Sequence, residues 1–137
     1  MKRNLIGILS LVVLSVLTAT GAYAQSAVRA DVPFAFKVGK TQLPAGTYDI
    51  KADAQHMIAI HNSKTGYTMF VLAGPGDPGD ASPRLVFHCL GDQRFLSGIW
   101  GVSGAEQRTL PPSQLEKELQ MANSPSATGT EVVMAHN

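Results

Sequence analysis

"LVFHCLGDQRFLSGIW", residues 85–100, reads as a β-hairpin and sets the fold class of the chain. Two mostly apolar runs flank Gly91-Asp92, and glycine accepts the positive φ that a two-residue turn demands. That register sets Leu90 opposite Gln93, His88 opposite Phe95 and Phe87 opposite Leu96. With side chains alternating across the pleat, it predicts that Phe87, Leu96 and Trp100 share one face and contribute to the core.

The same strand-and-turn texture runs over residues 28–101, with no sustained helical period. Phe34, Phe36 and Val38 alternate with Ala35 and Lys37. Tyr48, Ile50 and Ala52 alternate with Asp49 and Lys51, as in strands with one face on a core and one in water. "YTMFVLA" (67–73) and "LVFHCL" (85–90) are apolar at nearly every position and read as central strands. Residues 62–66, Asn-Ser-Lys-Thr-Gly, form a five-residue hairpin loop ending in glycine. "GPGDPGDASP" (74–83) reads as a long irregular connection.

After Gly104 the pattern changes. Ser113 precedes Glu116 in a capping box, and Leu115 and Leu119 stand at i, i+4, which predicts a helix over 114–121 that lays both leucines on the sheet. Residues 123–137 are small and polar up to Val132 and read as a disordered tail. The expectation is an all-β, mainly antiparallel fold: a small β-sandwich or barrel-like domain over 25–122, with about seven strands and one short C-terminal helix.

Gly39-Lys40-Thr41 has the letters that end a phosphate-binding loop, but such a loop needs a glycine five residues earlier and a helix starting at Lys-Thr. Phe34 occupies the first position, and Pro44 leaves no room for the second. The stretch is a corner. "FAFKV" ends near Gly39, and the chain reverses through "KTQLPAG". Leu43-Pro44-Ala45-Gly46 is expected to make a type I turn with Gly46 left-handed.

Three segments together, "VPFAFKVGKTQLPAGTYDI" (32–50), "PRLVFHCLGDQRFLSGIW" (83–100) and "LPPSQLEKEL" (110–119), resemble a group of small exported proteins of unknown function common in acidobacteria. The likeness spans residues 28–122. It implies a small β-rich extracytoplasmic domain and no particular activity.

Residues 1–24 carry the marks of a secretory signal peptide: Lys2-Arg3, a thirteen-residue apolar run from Leu5 to Leu17, and an Ala22-x-Ala24 cleavage site. As a helix the run spans roughly 20 Å, short of a ~30 Å hydrocarbon core. The expectation is export to the periplasm or beyond, with no stable membrane anchor after cleavage. Losing Lys2 and Arg3 from eleven basic side chains leaves nine against ten acidic ones. Such a balance supplies no field to steer nucleic acid.

The candidate chemistries are thin. His56 and His61 lie five apart on one predicted strand, so the pleat sends them to opposite faces, and His88 stands on another. A zinc site wants three or four converging ligands. Neither a metal nor a cofactor is expected. Ser103 sits within one letter of a nucleophile elbow, yet no helix follows it. The single cysteine, Cys89, rules out an internal disulfide and reads as a small buried residue, with Arg94 as a neighbour across the hairpin. Asp77 and Asp80 lack the spacing of a calcium loop. Asp31, Asp49, Asp53, Asp92 and Glu106 have no spacing that signals paired acids for glycoside hydrolysis.

The sequence therefore points to a non-catalytic exported module. Its partner is expected to be an envelope protein or a glycan, with Tyr67 and Trp100 as exposed aromatic contacts. The alternative is a small extracytoplasmic hydrolase or ligand-binding enzyme with a loop-built site containing His88 or Asp92. A third reading, a structural subunit, makes "VRADVPFAF" (28–36) an open sheet edge.

Overall fold

The computed structural model describes residues 27–53, 56–102, 106–122 and 128–137. Residues 1–24, read from the sequence as a signal peptide, and Ser103 lie outside them. The chain forms β1 (Ala27–Val32), β2 (Phe36–Val38), β3 (Thr41–Leu43), β4 (Gly46–Ala52), β5 (Met57–Asn62), β6 (Thr68–Leu72), β7 (Gly74–Pro78), β8 (Arg84–Leu90), β9 (Gln93–Trp100), β10 (Glu106–Thr109), helix α1 (Gln114–Ala122) and β11 (Thr128–His136).

These eleven strands make one curled half-barrel sheet in the order β3-β2-β9-β8-β11-β1-β4-β5-β6, while β10 bridges β9 and β7. Every pair is antiparallel except β2 with β9. The all-β class with one short helix is as expected. The strand count exceeds about seven because short segments pair in places where the sequence reads as loop or tail.

The hairpin at 85–100 has the expected register. Leu90 opposes Gln93, His88 opposes Phe95, Phe87 opposes Leu96, and Gly91 turns with φ 60°. Beyond Leu96 the register shifts, because Phe87 pairs with Leu96 while Val86 pairs with Gly98. Ser97 is the extra residue of a bulge. Its hydroxyl donates to the Val86 carbonyl at 3.1 Å, and its own carbonyl accepts from Leu110 N–H at 2.9 Å. A bulge reverses the facing of every residue after it.

Ile99, opposite Leu85, therefore takes the core face, and Trp100, opposite Arg84, goes to the outer face. This corrects the expectation that Trp100 joins Phe87 in the core. It also removes Trp100 as an exposed contact. The Arg84 guanidinium lies 4.3 Å from its ring centroid, Gly79 packs where a β-carbon has no room, and the indole is only 7% exposed.

Inside the curl, Phe36 touches Tyr48 and Phe87 edge to face at centroid distances of 5.2 and 5.3 Å, and Phe34 meets Phe87 at 5.1 Å. These contacts join residues far apart in sequence, in the edge-to-face geometry that aromatic rings prefer. Val28, Ala30, Ile50, Ile58, Ile60 and Leu85 complete the centre.

Five further expectations are corrected. Residues 128–136 are not a tail but β11, seated between β8 and β1, with Val133 and Ala135 turned toward the core. Because β1 lies between β11 and β4, "VRADVPFAF" presents no free edge; among the described strands the free edges are β3, β6 and, beyond β10, β7. "YTMFVLA" is accordingly an edge strand, with Phe70 and Leu72 exposed. Part of the 74–83 connection is strand β7, paired with β10. Helix α1 covers the expected range but buries Glu116 at 4% exposure, while Leu115 stands 37% exposed.

The expected reversal through "KTQLPAG" is corrected: the chain turns tightly at Gly39-Lys40 with Val38 opposite Thr41, and Thr41–Leu43 is strand β3, which lies where a phosphate loop needs a helix. Gly39 is left-handed at φ 60°, whereas Gly46 is not, so the type I turn with a left-handed Gly46 is not what the chain makes. Asn62 organises the 62–66 loop as a buried hub. Its side-chain oxygen accepts from the N–H groups of Lys64 and Thr65, both at 2.9 Å.

Candidate functional site

Strand alternation settles what the outer face of β1, β4, β5 and β6 carries. Inward go Val28, Ala30, Tyr48, Ile50, Ile58 and Ile60. The pairing registers then align the outward residues in two rows across the strands. One row runs His136, Arg29, Asp49, His61, Thr68. The neighbouring row runs Ala27, Lys51, Ala59, Phe70.

The two alanines flank Lys51 and leave a hollow beside the polar row. This recess has a volume of about 440 Å³ and is lined by Arg29, Asp49, His61 and Thr68 of one row and Ala27, Lys51 and Ala59 of the other, with Phe70 just outside it. Phe70, opposite Ala59, is 64% exposed. Sites that hold small molecules combine such an apolar floor with a few fixed polar groups.

The polar row is already hydrogen-bonded within itself. Arg29 donates through Nε and Nη2 to the two Asp49 oxygens at 2.6 and 3.2 Å, a bidentate fork. Ser63 donates to Asp49 at 2.9 Å, and His61 Nδ1 lies 2.8 Å from Thr68 Oγ1. The Arg29 hydrogen bond, aided by Ser63, holds the Asp49 carboxyl below the usual carboxylate range against a smaller opposing effect of burial. Asp49 is therefore an anchored anion with no proton to give at neutral pH. On the same face, Thr47 donates to Asp31 at 2.5 Å.

The residues singled out from sequence fall elsewhere or serve the fold. His56 precedes β5 with φ 62°, His61 belongs to the row above, and His88 meets Glu116 at 3.1 Å under α1. Among the described residues no three His, Cys, Asp or Glu side chains converge as metal ligands. Cys89 is half-buried, not buried, and faces Arg94 across the hairpin as expected. Its sulfur lies 3.8 Å from Glu131, itself paired with Arg94 at 2.7 Å. Burial first, and then Glu131, push the thiol pKa upward, away from the thiolate that nucleophilic attack needs.

Asp80 is held by Arg84 and the Ser82 N–H, which fastens the 79–83 turn. Asp92 lines a separate recess of about 330 Å³ with Lys37, Gln93 and Arg94; His88 does not reach it. There Lys37 Nζ donates to Gln93 at 2.7 Å. Asp31 and Asp49 share a face, whereas Asp53 follows β4 and Asp92 lies in the β8–β9 turn, so the acids do not meet as a set. Tyr67 is 49% exposed, as expected.

Sequence reasoning put Asp49 and Lys51 on an outward face but missed Arg29, Ala59 and Phe70 as their companions. Only the registers of β1 against β4, β4 against β5 and β5 against β6 bring these five together. No protein-family model, curated protein or solved structure matches the chain. No described helix is long and apolar enough to cross a membrane.

Proposed function

We propose that the protein is an exported, non-catalytic module that binds a component of the cell envelope, or of the space outside it, through the outer face of β1, β4, β5 and β6. The observation that carries this reading is the recess beside an aromatic ring left 64% exposed. Folding leaves scattered apolar groups in water, but a large ring next to a hollow with anchored polar groups is a contact surface. The anchoring also speaks for holding over reacting. Asp49 is committed to Arg29 and Ser63, so the recess offers a fixed pattern of charges and no free acid–base pair. The hydrolase reading needs such a pair, and the separation of Asp92 from His88 gives it no support.

The reading of residues 1–24 as an export leader and the resemblance to small exported proteins support the location. The test is recovery on envelope fractions of the processed chain, residues 25–137, purified from its host with Gln25 as its first residue. Phe70→Ser is expected to lower retention roughly tenfold, as loss of a central aromatic contact does, with the melting curve unchanged. Failure of the parent protein to bind any envelope fraction would overturn the proposal.

A further inference from the structure

We infer that the recess on β1, β4, β5 and β6 takes a saccharide bearing a carboxylate, an inference that rests on the binding-module reading above. Charge comes first. Arg29 and Asp49 neutralise each other in a bidentate pair, and Lys51 takes part in none of the four described ion pairs. The recess thus carries one uncompensated positive charge, on an exposed side chain in the middle of its floor row. A ligand with one carboxylate per binding unit completes it.

The rest of the lining selects the body of the ligand. The row of Asp49, His61 and Thr68 presents a carboxylate, an imidazole and a hydroxyl, able to meet several hydroxyl groups spaced along a ring. Ala59 lines the hollow, and the exposed Phe70 ring stands opposite it on β6, just outside the lining, as an apolar surface against which the C–H face of a sugar packs. A fatty acid would satisfy Lys51 and Phe70 but make no use of the lone pairs and N–H groups that the polar row still turns outward. A neutral sugar would leave Lys51 without a partner. A carboxylated sugar satisfies all three.

The experiment is calorimetric titration of the processed chain with trimers of galacturonic and of glucuronic acid, each beside its carboxyl-reduced neutral counterpart. At least one acidic trimer is expected to bind roughly tenfold or more tightly than its neutral form, the worth of a hydrogen-bonded charge. Lys51→Gln is expected to erase that difference. Phe70→Ser should weaken acidic and neutral trimers alike, and Lys40→Gln, on the remote β2–β3 turn, should alter neither. Equal binding of acidic and neutral trimers overturns the inference, as does a Lys51→Gln variant that keeps the preference. Should neither acidic trimer bind while envelope retention persists, the saccharide assignment falls and the binding-module reading stands. Loss of envelope retention as well brings down both.

Discussion

At the scale of single residues, two left-handed glycines separate local strain from tertiary crowding. Gly91 turns the β8–β9 hairpin at φ 60° with nothing within 4 Å of an added β-carbon. Gly101 follows β9 at φ 82°, and there the β-carbon would meet the Pro83 Cα at 2.8 Å. Gly91→Ala should cost only the left-handed penalty of about 1–2 kcal/mol. Gly101→Ala should add to it an overpacking cost of about 1–3 kcal/mol, since the obstacle is backbone and cannot swing aside. Urea unfolding of both variants measures the difference, and equal midpoints would refute the account of Gly101. The Gly91 turn was legible from its two letters. The demand on Gly101 was not, because Pro83 is brought beside it only by the fold.

At the scale of elements, β11 is the decisive piece. It pairs along seven residues with β8 and meets β1 at Arg29 and Ala30, joining the β3-β2-β9-β8 half of the sheet to the β1-β4-β5-β6 half. A chain ending at residue 122 should therefore lose cooperative unfolding and aggregate through the two uncovered edges. Gel filtration and a thermal melt would show it, and a truncated chain that still melted cooperatively would contradict the central place of β11. The sequence of this strand hid its role. Its outward residues include Thr128, Thr130 and the exposed Val132 and Met134, so it shows neither the apolar run of a central strand nor a clean alternation. In α1 the cap residues placed the helix correctly, and Ser113 does accept from Glu116 N–H at 3.2 Å. The inward-facing Glu116 carboxylate meets His88 of β8 at 3.1 Å, a contact that the cap residues do not reveal.

At the scale of the whole molecule, stability comes from stacking the inward faces of paired strands, with Cys89 free and no metal-ligand cluster among the described residues. A chelator and a reducing agent, alone or together, are expected to leave the melting temperature of residues 25–137 unchanged, and a fall of several degrees would expose a stabilising bond that this account omits. The letters alone determined the β class, the 87–96 part of its central hairpin, the end of "FAFKV" near Gly39 and the position of the helix. Each depends on φ preferences and on side-chain period, which act within a few residues. The facing of Trp100, the insertion of β11 and the assembly of Arg29, Asp49, Lys51 and Ala59 into one recess with Phe70 beside it were decided only by tertiary structure. Register and bulges between distant strands are set by which pairings close the core, and that competition involves the entire chain at once.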